Sequence, residues 1–150
     1  MKKFMVMALM AVAASSAFAQ GDALKSILKA KTYADAEALL NSNVTSFTSE
    51  QKAKAYNKLV QLSLEKVQKE EGIMSANAVA KQMGQKEEPF DTLGMYNSLC
   101  AALKDAMECD KFDNEPNGKG KIAHKFHKNN QQNLWPLRLH LLNICFTRNK

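Results

Sequence analysis

Ser49–Glu71, SEQKAKAYNKLVQLSLEKVQKEE, is the longest uninterrupted helical pattern in the chain, and its reading decides the fold. Thr48 and Gln51 open it as a capping box: a Thr hydroxyl accepts an amide proton from the first turn, and Gln three residues on reaches back. Ala53, Tyr56, Leu59, Val60, Ser63 and Val67 recur at spacings of three and four, which places them on one face. Ala55, Leu62 and Leu64 widen that stripe, so the helix should touch neighbours on more than one side. Lys52, Lys54, Lys58, Glu65, Lys66, Lys69 and Glu70 form the solvated part. Gly72 stands where a left-handed residue would end the helix.

Upstream, Asp22–Lys31 puts Ala23, Leu24, Ile27 and Leu28 on one side and Lys25 and Lys29 on the other. Thr32 then caps a second short helix, with Asp35 three residues on and Tyr33, Ala36, Leu39 and Leu40 as its apolar side. Downstream, Ser75–Met83 reads as a separate helix stopped by Gly84, and Lys86–Pro89 as a breaker. Asp91 caps the helix Thr92–Asp110, whose stripe is Tyr96, Leu99, Cys100, Leu103 and Met107. Lys111–Asn130 is a polar loop, with room for a helical turn at Ile122–Phe126. Leu134–Phe146 returns to helix, with Leu134, Leu137, Leu141, Ile144 and Cys145 on one side and Pro136 in the first turn. No alternating β-branched run predicts a strand. The expectation is an all-α chain of antiparallel hairpins, three to four in number, whose last apolar helix needs a cover.

The first 19 residues read as a secretory signal peptide. Lys2 and Lys3 are the basic start, Phe4–Ala14 the apolar run, and Ala17-Phe18-Ala19 the cleavage site. The apolar run is too short to span a bilayer, which takes about 20 residues. Cleavage after Ala19 would leave 20–150 as the mature helical domain, secreted or periplasmic.

The chain carries a formal net charge of +6, unevenly spread. Every Asp and Glu lies at or before Glu115, whereas Lys119, Lys121, Lys125, Lys128, Arg138, Arg148 and Lys150 follow it, with all three His. In a secreted protein this balance fits an anionic envelope surface or an acidic partner better than nucleic acid. Cys100 and Cys109 fall on one helix at opposite faces, about 13 Å apart along its axis, too far to bridge each other. Cys100 on the apolar stripe reads as a small buried hydrophobe. The spacing leaves open whether Cys145 pairs with Cys100 or with Cys109.

Ala30–Leu40, AKTYADAEALL, resembles the middle of a tetratricopeptide repeat: a short turn, an aromatic at Tyr33, Ala36 three residues later and a large apolar residue at Leu40. The Gly usual before the aromatic is absent, and no second copy at a 34-residue period is visible. Taken with the signal peptide, the AKAYNKLV helix and the run Cys109-Asp110-Lys111-Phe112-Asp113 through Pro116-Asn117 and Gly120-Lys121, the chain over Lys2–Asn143 resembles the N-terminal part of secreted tetratricopeptide-repeat-like proteins of double-membrane bacteria. The resemblance implies an α-solenoid segment that is a scaffold without catalytic residues. In that family the chain continues into further repeats, so the departing residues ICFTRNK lead to the expectation of a domain truncated at its C-terminus.

Candidate chemistry is thin. Asp113-Asn114-Glu115-Pro116-Asn117-Gly118 has the start of a calcium loop, but the twelfth position, which should be a bidentate carboxylate, is His124. His124 and His127 could face one metal if helical, and His140 and Cys145 are the only convenient further ligands. Gly118-Lys119-Gly120-Lys121 has the residue types of a phosphate loop without its spacing. Asp91-Thr92-Leu93 resembles a short bacterial O-glycosylation acceptor, although Asp91 is already needed as a cap. No nucleophile elbow, Walker motif, HExxH or CxxC occurs. The expectation is a non-enzymatic scaffold, without cofactor, catalytic site or metal site, that binds a protein or peptide partner. One alternative is metal or anionic-envelope binding through the basic segment 119–128. A second is a non-functional fragment of a longer repeat protein. Self-association through the terminal apolar helix would be one way to cover it.

Overall fold

The structure, a computed structural model, describes residues 21–122. These residues are all-α, with no strand among them. Helix α1 covers 21–29, α2 Tyr33–Asn43, α3 Ser49–Gln82 and α4 Thr92–Asp113. The signal peptide Met1–Ala19 and the helix Leu134–Phe146 lie outside the described residues. Among the described residues no helix is long and apolar enough to cross a membrane.

Three helix starts follow the caps written into the sequence. Thr32 Oγ1 accepts from the Asp35 N–H at 3.2 Å and donates to Asp35 Oδ2 at 2.6 Å. Thr48 Oγ1 accepts from the Gln51 N–H at 3.3 Å, and Gln51 Oε1 accepts from the Thr48 N–H at 2.9 Å. Asp91 Oδ1 accepts from the Gly94 N–H at 2.8 Å. Each satisfies an amide that a helix start otherwise leaves bare.

The end of α3 departs from expectation. Gly72 does not stop the helix. The 34 residues of α3 pass through it, and Ser75–Met83 is the last part of the same helix, not a new one. A Gly inside a helix costs about 1 kcal/mol relative to Ala. That cost is offset because side chains on either side of Gly72 are held by the returning chain, as described below. The stop comes at Gly84, which takes φ +67°. There the Gln85 N–H reaches the Ala80 carbonyl at 2.8 Å and the Gly84 N–H reaches that of Lys81 at 3.3 Å, a Schellman end that favours glycine. The described residues therefore make two hairpins, α1–α2 and α3–α4.

α3 buries two faces. Ala55, Leu59 and Leu62 pack with Ile27 of α1, Ala36 and Leu40 of α2, and Phe47. Val60 packs with Ala102, Leu103 and Ala106 of α4, with Leu64 and Leu99 beside them. Leu59 and Val60 are adjacent in sequence, hence about 100° apart around the helix, so one residue step separates the two cores. α4 runs antiparallel to α3: its start meets Lys66 and Glu70, and its far end meets Ala53 and Ser49. Phe112 stacks on Tyr56 at 5.8 Å between centroids, with the ammonium groups of Lys52 and Lys111 each 5.0 Å from its ring centre. The last third of α3 extends past the start of α4, and the connection 83–91 returns along it.

Candidate functional site

The seam between the two cores of α3 is a line of heptad spacing: Tyr56, Ser63, Glu70 and Asn77. Ser63, Glu70 and Asn77 are buried, and Tyr56 is half-buried. Polar groups removed from water need partners, and most of this line has them. Tyr56 lies on Phe112. Glu70 Oε2 accepts from the Asp91 N–H at 2.8 Å. The Asn77 carboxamide donates to the Glu88 carbonyl at 2.7 Å and accepts from its N–H at 2.8 Å. Ser63 is the exception: it is 2 % exposed, and its hydroxyl has no hydrogen-bond partner among the described residues.

Ser63 lines a cleft of about 390 Å³, open on one side. Lys31, Thr32 and Tyr33 of the α1–α2 turn form one wall, with Ser98 from α4. The rest comes from α3: Leu62, Glu65, Lys66, Lys69 and Glu70. The seam explains its position, since the α1–α2 hairpin and α4 cover the two flanks of α3 and diverge above Ser63.

The charges of the cleft divide into committed and free ones. Lys66 Nζ pairs with Asp91 Oδ2 at 3.2 Å, and Glu70 holds the Asp91 N–H. The Gly94 N–H first, then Lys66, hold the Asp91 carboxyl below its ordinary range. Lys31 and Lys69 make no ion pair among the described residues. The arrangement offers two uncommitted cations, short hydroxyl groups at Thr32, Ser63 and Ser98, and the apolar Leu62 floor. It can bind and orient an anionic, partly apolar group.

Behind the cleft wall, Tyr33 links α2 to α4. Its hydroxyl donates to Glu37 Oε1 at 3.3 Å and lies close enough to the Asp105 carboxyl for the two to shift each other's titration. Burial, then the Asp105 carboxylate, push the Tyr33 phenol upward. Burial likewise pushes the Asp105 carboxyl up to about 7; the Tyr33 hydroxyl opposes this, while Glu37 and Glu108 add to it. Near neutrality the Tyr33 phenol is thus neutral, and the Asp105 carboxyl is divided between its two forms.

The structure gives most sequence candidates other work. The resemblance of Asp113–Gly118 to a calcium loop does not hold. Asp113 is buried and its Oδ2 accepts from the Ile122 N–H at 2.8 Å, while Glu115 accepts from the Ser49 hydroxyl. Gly118 is needed for the turn: a Cβ there would meet the Asp113 carbonyl oxygen at 2.3 Å. Lys119 pairs with Glu50 Oε1 at 3.0 Å, so the turn clasps the start of α3. Among the described residues no group of His, Cys, Asp and Glu could hold a metal ion. His124, His127, His140 and Cys145 lie outside the described residues, as does most of segment 119–128.

Cys100 also differs from expectation, whereas the spacing left Cys109 open. Cys100 is half-buried and disulfide-bonded, not a buried small hydrophobe. Cys109 is the buried, free thiol; it donates to the Ala53 carbonyl at 3.2 Å, and burial pushes it up to about 12.

Sequence reasoning missed the cleft. By spacing, Ser63 reads as part of the core stripe, and Lys66 and Lys69 as part of the solvated face. The available signal was the recurrence of Tyr56, Ser63, Glu70 and Asn77 every seven residues among apolar neighbours. Compared with known families, characterised proteins and solved structures, the chain matches none of them.

Proposed function

We propose that the chain is a non-enzymatic helical scaffold, secreted or periplasmic, that holds a peptide or protein partner through an acidic side chain seated in the Ser63 cleft. The observation that carries this reading is the buried, unpartnered Ser63 hydroxyl in the cleft's lining. Leaving such a hydroxyl unpaired costs about 1–3 kcal/mol. A ligand carboxylate would accept its proton and meet Lys31 and Lys69. Charge selects the partner class, since the cleft's uncommitted cations outnumber Glu65.

Export is supported by the pattern Met1–Ala19 and by the disulfide at Cys100, a bond favoured in oxidising compartments. The tetratricopeptide-like reading rests on the turn and cap at Thr32–Leu40. α3 alone has the length of a whole such repeat, so helical hairpins packed on one long helix are the more economical description of the scaffold.

Selection from a random peptide library against the full chain tests the function. Enrichment of peptides with Asp or Glu beside an apolar residue is expected. The paired change Lys31→Glu and Lys69→Glu should weaken the selected peptides roughly tenfold, from about 0.5–1 kcal/mol per exposed charge. Enrichment of basic or purely apolar peptides would overturn the reading.

A further inference from the structure

The two hairpins sit on separate flanks of α3, and neither apolar cluster contains side chains of both α2 and α4. Behind the cleft wall, α2 and α4 approach each other through acidic groups instead. Tyr33 stands between the two places. It lines the cleft, and its hydroxyl faces Glu37 of its own helix and Asp105 of α4. Asp105 is 8 % exposed, and its Oδ2 is buried with no hydrogen-bond partner among the described residues. Glu108 and Lys104 act on it from α4. From α3 it feels Tyr56, whose phenol is pushed upward by burial first, then by Glu108 and Asp105.

We propose that the Asp105 carboxyl is a proton-operated latch on the Ser63 cleft: protonated, it lets the wall of Lys31, Thr32 and Tyr33 close towards α4, and ionised, it drives that wall away. This rests on the cleft being the binding site proposed above.

A hydroxyl donates one proton, so Tyr33 serves Glu37 or Asp105 but not both. An ionised Asp105 therefore stands near Glu37 and Glu108 at a buried position, where a poorly paired carboxylate is costly. Hydrating it requires a neighbour to move. α4 is held in place, since Ala102, Leu103 and Ala106 beside Asp105 are fully buried in the core shared with α3. Tyr33 is only half-buried, at the edge of an open cleft, so the wall is the side that yields. Its movement carries Lys31 and Thr32 away from Ser63, and with Lys31 goes one of the two uncommitted cations. Binding should then track the protonated fraction, about nine-tenths at pH 6 and about one-tenth at pH 8 for a group titrating at about 7.

Titration of the full chain with a short glutamate- and leucine-bearing peptide at pH 6 and pH 8 tests the latch. The glutamate carboxylate, ordinarily titrating near 4.3, stays ionised at both. Wild-type affinity is expected to fall about tenfold from pH 6 to pH 8. Asp105→Asn, a change outside the cleft lining that removes the titration, should bind equally at both. Equal wild-type affinities, or the same fall in Asp105→Asn, overturn the proposal. The free wild-type chain reports the wall itself: cross-relaxation between the Tyr33 ring protons and the Asp105 β-protons should be present at pH 6 and lost at pH 8. Its persistence at pH 8 overturns the latch. A peptide that binds at neither pH overturns the binding reading alone, and the Tyr33–Asp105 signal then decides the latch.

Discussion

The carboxamide of Asn77 holds the main chain of Glu88 at both its polar groups, the carbonyl at 2.7 Å and the N–H at 2.8 Å. With Glu70 on the Asp91 N–H, it pins the return from α3 to α4 along the extension of α3. Asn77→Ala removes both bonds at a buried position. A loss of about 1–3 kcal/mol is expected in urea unfolding, with faster hydrogen exchange at the Glu88 amide and little change at Leu103.

Gly72 and Gly84 should respond in opposite directions to Ala. At Gly72 a Cβ meets nothing within 4 Å and the backbone is helical. Gly72→Ala should stabilise by about 0.5–1 kcal/mol. Gly84 also has open space, but its φ of +67° suits glycine. Gly84→Ala should destabilise by about 1 kcal/mol. Thermal unfolding of the two variants checks the continuity of α3. Destabilisation by Gly72→Ala would mean the helix breaks there.

Asp105 makes stability depend on pH. Burial raises its folded value to about 7, above the unfolded value of about 3.9. Between these values the folded chain keeps a proton that the unfolded chain has released, so stability falls as pH rises through the window. Asp105→Asn removes this dependence. The variant should match the wild type near pH 4 and exceed it by about 2–4 kcal/mol above pH 7, at about 1.4 kcal/mol per unit. Denaturant titrations of both proteins from pH 4 to 8 give the comparison.

What was legible in the sequence was local. The caps at Thr32, Thr48 and Asp91 each use partners within three residues, so spacing alone reveals them. Gly72 and Gly84 have the same intrinsic propensity, and spacing cannot rank them. Glu70 and Asn77, which hold α3 on either side of Gly72, act through Asp91 and Glu88, contacts that only the fold supplies. The width of the stripe on α3 correctly implied neighbours on two sides. That Ser63 falls on the seam between them needed the positions of both, because Leu59 and Val60 look like one apolar face until each is assigned its own core.

The most direct test of the Ser63 cleft follows backbone amide shifts of the isotope-labelled full chain during titration with a short glutamate- and leucine-bearing peptide. Saturable shifts confined to Thr32, Tyr33, Ser63, Lys66, Lys69 and Ser98, lost in the Lys31→Glu and Lys69→Glu protein, are the predicted result. Shifts centred on Lys119 and Lys121, or none at millimolar peptide, would contradict the account.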